Sequence, residues 1–351
     1  MINLSAFDYE NKIKNPLKLF EKTWKNKSFI NGPSVENFEN AFAEYCGVSD
    51  CAAVSSCTSA LQLSLIALNI GPGDEVITSP YTWVSTVEVI KQVGAKVVYA
   101  DIKDDFTLDP IEVKKKITSK TKAIILVDLF GQVCDIDKFI NLGPIIIEDA
   151  AQSTGAIYKT RRVGSLAHLT CFSFYPTKNL SCWGDAGAVT GLPEYVNQIK
   201  KLRNHGQTSR FNIDTVGWNA RMDSIHAEVL THKLKLLDKW NKRRREIAQL
   251  YTAELNNIVT TPKENKNSLH VFHQYVITSV HKDKIQQALA SKKIQSRTYY
   301  PTPLHHTKTY NDSNRYPNSE LASLNGLAIP VHQYLTDKQV KLIIETIKGV
   351  L

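Results

Sequence analysis

Between residues 50 and 190, short apolar runs alternate with helical periods, and no other feature of the chain constrains its fold as strongly. Ala52–Ser55 reads as a strand, and Thr58–Asn69 as a helix with apolar residues at 60, 61, 63, 65, 67 and 68. Gly71-Pro72-Gly73-Asp74 then turns the chain into a second strand, Glu75–Thr78. Thr82–Val93 reads as a helix, Lys96–Ala100 as extended and Ile111–Ile117 as a helix. Ala123–Leu129, Pro144–Ile147, Leu169–Phe174 and Ala188–Thr190 supply further strands. Strand, helix, strand at this spacing predicts an α/β fold whose mostly parallel sheet is covered by helices.

Beyond residue 190 the pattern changes. Asp223–Leu255 reads as one long helical stretch carrying the basic run Lys239-Trp240-Asn241-Lys242-Arg243-Arg244-Arg245. A run of this kind is expected to be a solvated helix face rather than a nucleic-acid patch. Lys263–Asn267 reads as a loop, His270–Thr278 as a strand, Lys282–Ser291 as a helix and Thr336–Leu351 as a terminal helix. Two domains follow: a large one over 1–240 with the amino-terminal segment, and a smaller α+β one over 241–351. The helix at about 223–255 is expected to join them.

A chain of 351 residues with 42% hydrophobic and 22% charged residues can build such a pair of cores and is not disordered overall. The net charge of +9 comes from 33 Lys but only 10 Arg, beside 23 Asn. That is the composition an AT-rich genome writes, so it is weak grounds for nucleic-acid binding, and none is expected. The strongest apolar run, Ala123–Phe130, is too short to span a membrane and contains Asp128. Met1-Ile2-Asn3-Leu4 has no export-signal pattern, so a cytoplasmic protein is expected. The six cysteines, at 46, 51, 57, 134, 171 and 182, form no C-x-x-C pair and are expected to be buried thiols, with no metal site.

Four segments carry chemistry. Ser55-Ser56-Cys57-Thr58-Ser59 stands between a strand and a helix, where free N–H groups and the helix dipole suit a phosphate; an ordinary N-cap is the alternative. Ile145-Ile146-Ile147-Glu148-Asp149 empties an apolar strand into two carboxylates at a sheet edge, which could hold a metal, a ribose or a cationic ring nitrogen. In Phe174-Tyr175-Pro176-Thr177-Lys178-Asn179 a lysine follows a strand and a Pro turn. Desolvation there would free its amine to form an imine; a solvated lysine is the alternative. Val216-Gly217-Trp218-Asn219-Ala220-Arg221-Met222-Asp223 is a polar and aromatic segment opening the long helix. A phosphate cradle, an acid at a strand end and a lysine some way beyond are together what pyridoxal phosphate requires.

At this point the chain resembles a known family over essentially its whole length. Gly71–Ile77, Pro80-Tyr81-Thr82-Trp83-Val84-Ser85-Thr86, Glu148-Asp149-Ala150-Ala151-Gln152 and Arg162-Val163-Gly164-Ser165 are similar to stretches of the DegT/DnrJ/EryC1/StrS sugar aminotransferases, a branch of the fold-type I pyridoxal-phosphate enzymes. So are Phe172–Leu180, Leu202-Arg203-Asn204-His205-Gly206 and Tyr300-Pro301-Thr302-Pro303-Leu304-His305. The resemblance implies that Lys178 is the Schiff-base lysine, that Asp149 pairs with the pyridine nitrogen, that Gln152 lies near the ring 3-hydroxyl and that Trp83 stacks on the ring. It implies that Thr58, Ser59 and Ser173 hold the phosphate and that Asn219 reaches it from a partner subunit, which calls for a homodimer. Two positions depart from the pattern: Cys57 stands where the family often has Gly, and Asp128 where many relatives have His.

The resemblance implies transfer of an amino group from glutamate to a nucleotide-linked 4-keto-6-deoxyhexose, with pyridoxamine 5′-phosphate as the half-reaction form of the cofactor. Pro80–Thr86 and Val127–Gly131 are similar to the 4-aminating members, so dTDP-4-keto-6-deoxyglucose is the expected acceptor and dTDP-4-amino-4,6-dideoxyglucose (viosamine type) the product. His305 and Arg221 are the candidate substrate contacts. The alternatives are a 3-keto-sugar aminotransferase, a GDP- or UDP-4-keto-sugar enzyme and a non-catalytic cofactor-binding regulator. A sugar dehydratase of the same family would resemble this chain with His in place of Lys178.

Overall fold

The computed structural model describes residues 1–6 and 18–351. Its first half is built on strands β1 (Cys51–Val54), β2 (Glu75–Thr78), β3 (Lys96–Tyr99), β4 (Thr121–Val127), β5 (Ile145–Asp149), β6 (Ile157–Tyr158), β7 (Arg161–Arg162), β8 (Leu169–Ser173) and β9 (Gly187–Gly191). Seven of these make one sheet in the order β1-β9-β8-β5-β4-β2-β3. β3, β2, β4, β5 and β8 are mutually parallel, while β9 runs antiparallel between β8 and β1. The expected mostly parallel sheet is therefore present, with one reversed strand. β6 and β7 stand apart, paired with each other, and β6 also pairs with Ser268–Leu269.

β4 and β5 show why this sheet must be covered on both faces. Ile124, Leu126 and Ile146 point into one buried cluster, and Ala123, Ile125 and Ile147 into another on the opposite side. The first cluster is capped by the helix Pro33–Cys46, whose Phe42 ring meets Phe172 and Phe174 edge-on at 4.9 and 5.3 Å. Proline in its first turn, left-handed Gly47 at its end and apolar Val35, Phe38, Phe42 and Cys46 at helical spacing mark that helix, to which the sequence reading above assigns no element. The second cluster is covered by the helix Cys57–Ala67.

The long helix expected over 223–255 is two helices, Ser224–Leu234 and Leu237–Leu255, separated by a turn at Lys235 and Leu236. The second helix carries the chain from one core to another, Leu237 still lying in the first. Ala227 and Leu230 belong to the first sheet cluster, whereas Ile247, Tyr251 and Leu255 join a separate one with Ile285, Leu289, Leu327, Ile329 and Ile343. Ile2, from the other end of the chain, packs into that same cluster. The expected strand over His270–Thr278 is paired only at Tyr275–Thr278, antiparallel to Gly326–Ile329. Before it the backbone kinks: the His270 ring stacks on Phe272 at 3.9 Å, and Phe272 has φ +44°.

The basic run departs from the expected solvated face. Lys239 and Lys242 are exposed, but Arg244 is buried and donates to the carbonyls of Val331 (2.7 Å) and Phe272 (3.2 Å). Half-buried Arg243 and Arg245 donate to the carbonyls of Leu335 and His270. Three guanidinium groups thus collect loop carbonyls that would otherwise be left unsatisfied. No helix among the described residues is long and apolar enough to cross a membrane.

Candidate active site

The parallel strands, and β1 with them, deliver their carboxyl ends to one edge of the sheet, the place where open α/β sheets bind ligands. β1 runs out into Ser55–Ser59. Ser56 caps the helix Cys57–Ala67, its Oγ accepting from the Ser59 amide at 3.0 Å. Ser59 Oγ shares hydrogen bonds with Ser55 and Ser56, and Thr58 Oγ1 donates to Ser85 Oγ at 2.8 Å. Ser173 ends β8 at the same edge, and its hydroxyl accepts only a long bond from the Tyr175 amide, 3.4 Å. A side chain at Gly187 would place its Cβ 2.5 Å from the Ser56 carbonyl carbon, so the cradle rests directly on β9. A helix N-terminus with several hydroxyls around it is a donor set suited to a phosphate.

Asp149 closes β5 and is 6% exposed. Its Oδ2 accepts from Thr86 Oγ1 at 2.8 Å; its Oδ1 accepts from the Ala151 amide at 3.2 Å and the Cys57 thiol at 3.7 Å. Burial pushes its carboxyl above the ordinary carboxylate range, while the Thr86 hydroxyl, the Ala151 amide and the nearby Lys178 charge pull it back. Cys57 is therefore a donor to this carboxylate; burial, with Asp149 beside it, keeps it a thiol. Gln152 Oε1 accepts from the Phe130 amide at 2.7 Å, and its Nε2 donates to Tyr300 Oη at 3.2 Å. Trp83 stands 60% exposed, with its ring 6.1 Å from that of Tyr300.

Lys178 sits half-buried in the turn after β8, and its amide donates to the Tyr175 carbonyl. Burial lowers its pKa, against the opposing pull of Cys57 and Asp149. The turn is anchored by Asn179, whose Nδ2 reaches Asn241 Oδ1 (2.8 Å) and the Val271 carbonyl (3.0 Å) and whose Oδ1 meets His273. His273 is held neutral by burial, reinforced by the Lys178 and Arg244 charges. The expected residues Thr58, Ser59, Trp83, Asp149, Gln152, Ser173 and Lys178 thus lie at the strand ends of this sheet edge or on the segments that follow them. Asn219 lies exposed and accepts from Arg221 Nε at 3.0 Å; Arg221 also donates to Asn204. His305 is 1% exposed, its Nε2 3.4 Å from Glu320 and its ring 4.8 Å from Tyr316. Within one chain it is packed into that cluster and presents no surface to a substrate.

Thr86, Tyr300 and His273 are site residues to which sequence reasoning assigns no role. Thr86 belongs to the Pro80–Thr86 stretch, but its partner lies 63 residues away, and only the fold joins them. Asp128 also acquires a place. Its Oδ1 accepts from the Cys134 amide and its Oδ2 from Ser153 Oγ, and its carboxyl meets that of Glu148, which Thr170 also holds. Burial raises both carboxyls, that of Asp128 to about 7.

A carboxyl raised in the folded state stabilises fully below the ordinary carboxylate range, and that contribution is lost as pH rises through about 7. Asp128→Asn should flatten this dependence. Urea denaturation at pH 5 and pH 8 should show wild type losing more stability on alkalinisation than the variant, by about 2 kcal/mol. Equal losses in the two proteins would mean that Asp128 titrates as an ordinary acid.

The donor set fits pyridoxal 5′-phosphate: hydroxyls and a helix end for the phosphate, a buried carboxylate for a ring nitrogen, and a lysine of lowered pKa. Comparison with known proteins agrees. The DegT/DnrJ/EryC1/StrS aminotransferase family model matches residues 11–348. A dTDP-3-amino-3,4,6-trideoxy-alpha-D-glucose transaminase from Streptomyces venezuelae is 36% identical, over 91% of this chain and 88% of its own. A pleiotropic regulatory protein from Geobacillus stearothermophilus is 34% identical, over 99% of this chain and 97% of its own. A crystal structure of S. venezuelae DesV in complex with a ketimine intermediate superposes with a TM-score of 0.96 at 33% identity, covering 99% of this chain and 98% of that one. The chain belongs to the DegT/DnrJ/EryC1/StrS family and is a pyridoxal-phosphate-dependent aminotransferase of nucleotide sugars.

Proposed function

We propose that the chain moves an amino group from glutamate to the carbonyl of a dTDP-linked keto-deoxyhexose. The observation that carries this reading is the convergence of Asp149, Lys178 and the Ser55–Ser59 cradle on one sheet edge, with Asp149 and Lys178 in electrostatic reach of each other. Lys178 would hold the cofactor through Nζ and, when its amine is free, would move protons at the reacting carbon. Asp149, aligned by Thr86 and Ala151, would hold the proton on the pyridine nitrogen. Gln152 and Tyr300 would orient the ring hydroxyl, Trp83 would cover one ring face, and Thr58, Ser59 and Ser173 would bind the phosphate. When bound, pyridoxal phosphate supplies the electron-accepting ring on which an amino group is stored between donor and acceptor. The large unit over 1–240 would supply all of these residues except Tyr300, which belongs to the smaller unit over 241–351.

Carbon 3 is the favoured position of amination. The S. venezuelae relative is named for a 3-amino sugar. The 4-keto expectation rests on Pro80–Thr86 and Val127–Gly131 alone.

The active unit is a homodimer in which Asn219 serves the partner's phosphate site. Asn219 is exposed, and nearby Phe211 (83% exposed), Ile213 and Val216 leave an apolar strip uncovered in the single chain. A strip of this kind marks an interaction surface.

Three measurements test the reading. Lys178→Ala should abolish the yellow, borohydride-sensitive absorbance and all turnover; Asp149→Asn should fold and bind cofactor yet lose about 100-fold or more in kcat. Near-wild-type turnover by either variant would remove that residue from its role. Sedimentation at assay concentration should give a dimer, and Asn219→Ala should weaken cofactor retention; a fully active monomer would refute shared sites. With glutamate and a panel of nucleotide 3-keto and 4-keto deoxysugars, NMR of the product should place the new C–N bond at C-3 of a dTDP sugar. A bond at C-4 would restore the 4-keto reading, and preference for UDP or GDP sugars would overturn the choice of nucleotide.

A further inference from the structure

A cavity of about 540 Å³ opens between the amino-terminal residues and the segment that follows the helix Lys282–Ser291. Its wall includes Thr177, the residue before Lys178, together with Gln274, Lys293, Arg297 and Tyr299. Its size lies within the roughly 300–1,000 Å³ of small-molecule sites. Among the described residues no carboxylate lines it, and neither Lys293 nor Arg297 forms an ion pair. Two cations on one wall with no counter-charge among those residues make an anion-attracting pocket.

The wall is held in place. Arg297 pairs with Ala328 through both backbone groups (3.1 and 2.8 Å), and Gln295 accepts from the Leu4 amide at 3.0 Å. The Arg297 guanidinium lies 5.9 Å from the centre of the Tyr299 ring. Tyr299 in turn meets Tyr300 at 5.7 Å, and Tyr300 accepts from Gln152. This chain of contacts links the cavity to the cofactor site. Gln274 supplies an independent sign: it is 7% exposed, and its Oε1 has no hydrogen-bond partner among the described residues. A buried amide oxygen left without a donor is costly, and a ligand hydroxyl reached by a small rotation of the amide would satisfy it.

We propose that this cavity receives the acceptor substrate, with Arg297 and Lys293 on its diphosphate and Gln274 on a sugar hydroxyl. The proposal rests on the nucleotide-sugar reading above and adds the residues of this chain that select for it. A diphosphate with an attached sugar accounts for all three features of the cavity: its volume, its two cations and its unpaired acceptor. The carboxylates of the amino donor share the anionic chemistry but would leave most of the volume empty.

The two half-reactions separate these sources. Cofactor-loaded wild type, Arg297→Gln, Lys293→Gln and Gln274→Leu would be compared by calorimetric binding of dTDP and UDP, by the rate at which glutamate bleaches the cofactor absorbance, and by KM for the aminated keto sugar. Each cation variant should weaken binding of the preferred nucleoside diphosphate about tenfold, the worth of a charge-assisted hydrogen bond. Gln274→Leu should raise KM for the keto sugar with little change in nucleoside diphosphate binding. The glutamate half-reaction should keep its rate in all three variants. Unchanged dTDP and UDP binding in the cation variants, or no binding by wild type, would overturn the proposal. A loss confined to the glutamate step would overturn it in favour of a donor-carboxylate site. If wild type aminates a nucleotide keto sugar whose KM is untouched by Arg297→Gln, this proposal fails alone; if wild type aminates none, the nucleotide-sugar reading fails with it.

Discussion

Burying a seven-stranded sheet on both faces leaves one region where polar chemistry can be placed without desolvating the core: the edge at which the strands end. β4 and β5 carry residues of 0% exposure on both faces, and both finish in acids, Asp128 and Glu148–Asp149. The parallel register sets Val127 opposite Asp149, so three carboxyls collect within a few residues of one another. Everything else at the site answers that concentration of potential charge. Hydroxyls and amides from Thr86, Ala151, Ser153 and Thr170 are directed at these oxygens, and burial raises the carboxyls of Asp128 and Glu148.

A second dependence runs through the helix Leu237–Leu255. Asn241 holds Asn179 beside Lys178, and one turn later Arg244 gathers the Val331 and Phe272 carbonyls. One helix therefore fixes both the lysine turn and the loops flanking Gln274.

The sequence by itself determined the architecture and the chemical core of the site. The apolar runs of β4 and β5, the turn at Gly71–Asp74, the acid at the end of β5 and the lysine turn after β8 are local patterns, and local patterns survive without knowledge of packing. The helix Pro33–Cys46 is as legible, with Val35, Phe38, Phe42 and Cys46 recurring every three or four residues behind a proline start; only its docking on Phe172 and Phe174 needed the fold. The basic run, by contrast, misleads. Adjacent cations read as one solvated face, yet Lys239 is exposed and Arg244 is buried, a difference decided by a carbonyl contributed from 87 residues away. Thr86 on Asp149, Cys57 as its thiol donor, the packing of His305 against Tyr316 and the pairing of Asp128 with Glu148 were likewise decided only by tertiary structure. Each joins groups apart in the chain, and whether two such side chains meet is a property of the packed fold, not of either residue's neighbours in sequence.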